Sequence, residues 1–328
     1  ARAAGLRVAA DAPGAGSARS QRLAHRAHLA PRHSQPLAGG SHLQGPAGLG
    51  VVALVVLVLQ AAPLERAHGA ARHQRVAVHA QDVVAQALLV SGGDPERFRR
   101  ALAWRLRWWF LGLPAGIGWA TLRAILRLWI GIGPEHSGVH SAGNGPAMRA
   151  AILGVAITDP ARLRALVQAS ARLTHTDPLA EQGAWAVALA ARLASAGQRG
   201  DAAVYLAALR DSLGAEGEAL SSLIALAVRS VERGESTIDF ARSQGLAQGV
   251  SGYVCHTVPV ALHAWLTHPL DYRAAVSAVI RCGGDTDSTA AIVGGIVGAA
   301  VGRAGIPSAW LTHLIDWPRS VGWLARLG

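Results

Sequence analysis

Residues Gly283-Gly284-Asp285-Thr286-Asp287-Ser288-Thr289 run directly into Ala290-Ala291-Ile292-Val293-Gly294-Gly295-Ile296-Val297-Gly298. Gly283 and Gly284 let the backbone turn tightly before a helix. The apolar run behind them is a buried helix of a soluble protein, because the stretch from Ser288 to Arg303 is shorter than the ~20 residues needed to span a bilayer. Gly294, Gly298 and Gly302 recur every fourth residue, which gives a helix face suited to close packing. Asp285 and Asp287, two apart at the helix mouth, can present carboxylates to one hard cation, with the Ser288 or Thr286 hydroxyl beside them. Mg²⁺ takes oxygen ligands and keeps several waters, so this donor set suits it. A competing reading is an ordinary helix start, since Asp is among the best N-caps.

Working outward, the same helical grammar recurs. Asp94-Pro95, Asp159-Pro160 and Asp177-Pro178 each place Asp at an N-cap and Pro at the first helical position. After Asp159, the residues Leu163, Leu166, Val167 and Leu173 fall on one face. Residues 83–90 (VVAQALLV) read as an apolar helix ended by Ser91-Gly92-Gly93. Further helices are predicted at 178–196, 200–213, 216–233, 253–267, 271–281, 287–303 and 307–315, with Gly197, Gly214, Gly234 and Gly305 at helix ends. No segment alternates like a strand flanked by hairpin turns. The fold class is all-α, a compact multi-helix bundle.

Composition fits a chain able to bury a core: 51% of the 328 residues are hydrophobic, and ten of the few aromatics are Trp. Lysine is absent, so all 31 basic residues are Arg. The net charge of +11 would suit a nucleic-acid surface, but its distribution argues otherwise. Residues 1–82 hold nine Arg against three acids (Asp11, Glu65, Asp82), and the remainder is nearly balanced. No Arg run is interleaved with aromatics at a base-stacking spacing; Trp104, Arg105, Arg107, Trp108 and Trp109 come nearest. Neither nucleic acid nor membrane is expected as a partner. Trp104, Trp108, Trp109, Trp119 and Trp129 read as core or interface packing rather than as a nucleotide wall. Cys255 and Cys282 are too few for a disulfide framework or a zinc site, which fits a reduced cytoplasm. Both read as small buried thiols.

Two units are expected, 1–82 and 83–328. The first is rich in Ala, Arg, His, Gly and Pro and holds half of the 14 His. It reads as disordered or as out-of-frame translation of GC-rich DNA. Its one apolar run, Gly48 to Leu59, is too short to span a membrane and too far along for a secretory signal. Met148 is the only methionine, so the chain reads as a fragment or a processed product.

Three further stretches decide the functional reading. They are Ser141-Ala142-Gly143-Asn144-Gly145-Pro146-Ala147-Met148-Arg149, Thr174-His175-Thr176-Asp177-Pro178-Leu179-Ala180 and Gly252-Tyr253-Val254-Cys255-His256-Thr257-Val258-Pro259. With GGDTDSTAAIVGGIVGA they resemble, in order, four motifs of the ADP-ribosylglycohydrolase family, which includes the dinitrogenase-reductase-activating glycohydrolases. The resemblance implies an all-helical hydrolase with a two-Mg²⁺ centre that frees ADP-ribose from a modified protein or a small molecule. It implies Asp285, Asp287 and Ser288 as metal ligands. It implies Gly143, Asn144, Gly145, Met148, His175, Tyr253, Gly283 and Gly284 as ligand-binding residues, and it leaves the catalytic acid or base unassigned. For Arg149, a buried or surface ion-paired role stands beside a ligand role.

The same resemblance calls for a GDALG-like helix start and an Asp-Asp-Thr-type motif near Val76, Ala77 and Val78. The sequence there is Arg75-Val76-Ala77-Val78-His79-Ala80-Gln81-Asp82. Asp82 could ligate Mg²⁺ but is out of register. The expectation is therefore a hydrolase impaired in this chain. The alternatives are an inactive ADP-ribose-binding module or a structural reuse of the fold, as in the related jellyfish crystallins.

Overall fold

The structure, a computed structural model, describes residues 70–112, 116–198 and 200–312, with side chains from residue 81 to 311. Of two units in the chain, 1–41 and 42–328, all described residues belong to the second. The readings for Gly48–Leu59 and for most of 1–82 lie outside the described residues.

Among the described residues thirteen α-helices follow one another: α1 (Ala70–Ser91), α2 (Pro95–Leu111), α3 (Trp119–Trp129), α4 (Ala151–Ala156), α5 (Pro160–Arg172), α6 (Pro178–Ser195), α7 (Ala202–Leu213), α8 (Glu218–Glu232), α9 (Thr237–Ser243), α10 (Val254–Thr267), α11 (Tyr272–Cys282), α12 (Thr286–Val301) and α13 (Ser308–Thr312). Short 3-10 turns lie at Ala147–Arg149, Ala215–Gly217 and Arg303–Gly305. Among the described residues the only β-type pairings are three isolated bridges. The all-α expectation is met.

The three Asp-Pro signals act as their chemistry requires. Asp94 accepts from the Arg97 amide, Asp159 from Arg162 and Asp177 from Leu179, each with Pro in the first turn. Asp201 and Asp271 cap α7 and α11 in the same way. The predicted helices from 178 onward reproduce α6, α7, α8, α10, α11, α12 and α13 to within a few residues. Gly302, with φ 62°, ends α12 instead of Gly305. The helix expected from residue 83 begins at Ala70. Residues 70–82 lack an apolar period but are rich in Ala, Arg and Gln, all good helix formers.

At the centre is α6, where the small residues Ala180, Ala184, Ala186, Ala188, Ala190 and Ala191 are all buried. It packs against α4, α5, α10 and α12. Small side chains let the backbones approach: a Cβ added at Gly154 on α4 would lie 2.0 Å from the Ala188 carbonyl oxygen. The helix α12 is buried along Ser288–Gly298 against α1, α6, α10 and α11, as its apolar sequence requires. Of the five tryptophans in 104–129, Trp109 is in the core, whereas Trp104, Trp108, Trp119 and Trp129 are exposed. Trp108 packs edge-on against both Trp104 and Trp129.

Candidate functional site

The four motif segments converge, although they are far apart in sequence, and the β-bridges are the means. Val139 pairs with His175, Gly143 with Tyr253, and Val250 with Gly284. The loop before the 3-10 turn at 147–149 is thereby tied to the segments that start α6, α10 and α12. Two amides secure the middle pairing: Asn144 N donates to Gly252 O (2.9 Å) and Val254 N to Ala142 O (2.9 Å). The third is tighter. Val250 N donates to Gly283 O (3.1 Å) and Asp285 N to Val250 O (2.6 Å). Gly284 has φ 76°, and a Cβ there would lie 2.1 Å from Val250 O. Only glycine gives both the left-handed backbone and the close approach.

Asp285 stands at the N-cap position of α12, yet its side chain makes no capping hydrogen bond. It differs in this from Asp94, Asp159, Asp177, Asp201 and Asp271, so the ordinary-cap reading does not describe it. Its Oδ2 instead accepts from Asn144 Nδ2 at 2.6 Å, across 141 residues of sequence. Asn144 Nδ2 also donates to Thr257 Oγ1 (3.0 Å). The Thr257 hydroxyl lies within reach of the carbonyls of Ser251 (2.9 Å) and Tyr253 (3.1 Å). Asn144 is buried and Asp285 half-buried, so the carboxylate is held by a desolvated amide while it still reaches solvent.

The residues around it divide into those at the surface and those beneath it. Gly284 and Tyr253 are exposed, and Tyr253 packs edge-on against His256 (5.1 Å). A hydrogen bond with the Cys255 thiol, then partial burial, pushes the Tyr253 phenol up to about 12, so it stays protonated at neutral pH. Gly143 and Gly145 lie over the His175 ring: an added Cβ would meet Nε2 at 2.9 Å and Cε1 at 2.9 Å respectively. His175 is buried, and burial followed by the charge of Arg149 pushes its imidazole down to about 3. Met148 packs against the core, and its Sδ lies 3.9 Å from the buried Ser288 hydroxyl. Arg149 is buried and bonded to Ser170, Thr174 and the Gly145 carbonyl, so it is a structural residue of the loop. Its partners are neutral, which departs from the ion pair that was one expectation. Thr257, Thr174 and Val250 hold the site together but carry no sequence signal beyond membership of, or nearness to, the motifs.

Asp285 and Asp287 stand at the mouth of α12, both half-buried, and carboxylate oxygens are donors of the kind a hard divalent cation takes. Among the described residues no group of three or more His, Cys, Asp or Glu could hold a metal ion. From α1, Gln81 Nε2 donates to Met148 O (2.5 Å), which brings that helix to the Met148–Ser288 contact. The neighbouring Asp82 is buried and accepts from Gln86 Nε2 (3.0 Å). The residues expected to carry further acidic ligands, 76–78, precede the described side chains.

A family model of ADP-ribosylglycohydrolases matches residues 21–328. The chain belongs to the ADP-ribosylglycohydrolase family. The matched range takes in all four motif segments and also most of the segment that composition set apart. An uncharacterized protein of Archaeoglobus fulgidus is 33% identical over 226 residues, 68% of this chain and 69% of that protein. A solved structure described as an ADP-ribosylglycohydrolase-related protein complex is similar in fold. Its TM-score is 0.53 at 24% identity, over 85% of this chain and 97% of that one. Hydrolysis at ADP-ribose-related groups is the chemistry of this glycohydrolase family. Among the described residues no helix is long and apolar enough to cross a membrane.

Proposed function

We propose that this glycohydrolase binds ADP-ribose, carried by a modified protein or a small molecule, where the four motif segments meet, and that Mg²⁺ is its cofactor. The observation that carries the reading is the Asn144–Asp285 hydrogen bond, which joins the GNG loop to a carboxylate not spent on capping. Asp285 and Asp287 are the proposed cation ligands, with the Ser288 hydroxyl beside them. When bound, the cation supplies Lewis-acid stabilisation of charge developing at the ribosyl oxygens. Asn144 orients Asp285 through Oδ2 and so fixes the direction in which its remaining lone pairs point. Gly143, Gly145, Gly283 and Gly284 are the proposed ligand-binding backbone; Gly143 and Gly145 pack over the His175 ring and Gly284 against the Val250 carbonyl, which brings these loops together. Tyr253, exposed and protonated, offers a ring face at the rim, while its hydroxyl is bonded to the Cys255 thiol. Departure of the leaving group builds positive charge on the ribosyl carbon, and nearby carboxylates stabilise that charge.

Turnover by this chain is proposed to be low. A two-cation centre needs more acidic ligands than Asp285 and Asp287, and Arg75-Val76-Ala77-Val78 supplies none where the family places them. The proposed functional helical unit is 83–328, with α1 extending it back to Ala70. The two buried, unpaired cysteines fit a reducing cytoplasm. The test is calorimetry with ADP-ribose beside an assay of ADP-ribose release from ADP-ribosylated protein, with and without Mg²⁺. Binding with little release is the expected result. Appreciable Mg²⁺-dependent release that Asp285→Ala abolishes would overturn the proposed impairment, and absence of ADP-ribose binding would overturn the site.

A further inference from the structure

Arg149 is a buried cation that no carboxylate faces among the described residues. Its donors go to neutral oxygens: Nη1 to Gly145 O (3.0 Å), Nε to Ser170 Oγ (3.1 Å), and Nη2 to Ser170 O (2.7 Å) and Thr174 Oγ1 (2.7 Å). The contact with Thr174 has a consequence for the histidine beside it. A threonine hydroxyl has one proton to give. Because Arg149 donates to Oγ1, that proton must point elsewhere.

Two acceptors are within reach. His175 Nδ1 lies at 2.8 Å, near the optimum for a hydroxyl hydrogen bond, whereas the Ala171 carbonyl lies at 3.5 Å, where little is gained. The Ala171 carbonyl already accepts the amides of Thr174 (3.1 Å) and His175 (2.8 Å). A hydroxyl that receives a charge-assisted bond from a guanidinium is also polarised to donate. The proton therefore goes to Nδ1. An imidazole that accepts at Nδ1 carries its own proton on Nε2. Nε2 makes no hydrogen bond within the described residues and lies directly under Gly143, while the ring edge at Cε1 lies under Gly145.

We infer that Arg149 and Thr174 are positioning residues that fix His175 as the neutral Nε2–H tautomer. The Gly143–Gly145 loop thereby offers a ligand a hydrogen-bond donor and selects an acceptor oxygen there. Phosphate and ribose oxygens of ADP-ribose are such acceptors, so this inference rests on the ligand assignment proposed above. The low basicity of the ring agrees, since a second proton would put two cations side by side in a buried place.

The experiment is a long-range nitrogen–proton correlation spectrum of the full chain labelled with ¹⁵N-histidine, at neutral pH, with His175 assigned through His175→Gln. The expected His175 pattern is a protonated Nε2 and an unprotonated Nδ1; the reverse pattern overturns the inference without any further variant. Thr174→Val is expected to move His175 to the other tautomer or to a mixture and to weaken ADP-ribose binding about tenfold. Thr174→Ser is expected to restore both. An unchanged tautomer in Thr174→Val overturns the positioning role. If the tautomer behaves as expected but ADP-ribose leaves the His175 signals and the calorimeter undisturbed, the positioning stands and the ligand assignment falls.

Discussion

At the scale of single residues, the space around the GNG loop sets the most direct prediction. Alanine at Gly143 or Gly145 puts a methyl group 2.9 Å from the His175 ring, and the ring must turn or the loop must lift. Both changes displace the surface offered to a ligand but leave the helices intact. Gly143→Ala and Gly145→Ala are therefore expected to fold with normal far-UV dichroism and to lose ADP-ribose affinity at least tenfold by calorimetry. Asn144→Ala acts differently. It removes the donor held by Asp285 and Thr257 in a buried place, at a cost of about 1–3 kcal/mol. Thermal denaturation should detect that loss, and the response of the melting temperature to Mg²⁺ should shrink with it. The residues of both predictions were legible in the sequence, because a GNG loop and an Asp-x-Asp helix start are short contiguous patterns. Their joining was not. A hydrogen bond across 141 residues is set by how α6, α10 and α12 pack, and no local pattern encodes it. Arg149 shows the reverse case: its motif position was plain, but only burial and its neutral partners reveal that it braces Thr174 and not a ligand.

At the scale of elements, helix starts were the most legible feature, since Asp-Pro carries both the side-chain acceptor and the fixed φ of the first turn. Less legible were α4 and α9, of six and seven residues, which are too short for an apolar period to stand out. The crossing of α4 and α6 gives an element-scale prediction. Gly154→Ala would gain about 1 kcal/mol of helix propensity. Against this, the new methyl group meets the Ala188 carbonyl oxygen at 2.0 Å, and a backbone atom in a buried helix cannot turn aside. Overpacking of this kind costs about 1–3 kcal/mol and sometimes more, so the clash wins and the variant is expected to be clearly less stable. Gly234→Ala is the comparison. It meets nothing within 4 Å, but its φ of 73° leaves a cost of about 1 kcal/mol from backbone strain alone. Equilibrium urea unfolding should rank Gly154→Ala well below Gly234→Ala; equal stabilities would mean that α4 shifts freely against α6.

At the scale of the whole molecule, two buried histidines make stability depend on pH. His263 on α10 is stacked on Phe240 (4.8 Å) and is within hydrogen-bond reach of Thr237 and Ser230, which tie α9 and α8 to α10. Burial is the main cause that pushes its imidazole down to about 4, against an opposing pull from the Glu235 carboxylate. His175 lies lower still, at about 3, through burial and Arg149. In the unfolded chain both rings titrate near 6.5. Between the unfolded and folded values the unfolded state binds more protons, so acid favours unfolding. The contribution of both rings is complete above about pH 6.5. It falls steadily as pH drops through 6 and 5 and is gone for His263 below about 4 and for His175 below about 3. Each unit of separation is worth about 1.4 kcal/mol, so the pair together removes several kcal/mol, a large part of the stability of an ordinary domain. Urea midpoints measured from pH 7.5 to 4.5 should therefore fall as pH falls. His263→Gln keeps polar atoms toward Thr237 and Ser230 but cannot titrate. It is expected to be less stable than the parent at pH 7.5 and to have a shallower slope below 6.5, so that the two curves approach each other in acid. Parallel curves would show that His263 binds protons equally in the folded and unfolded chain, so that its burial does not hold the ring neutral.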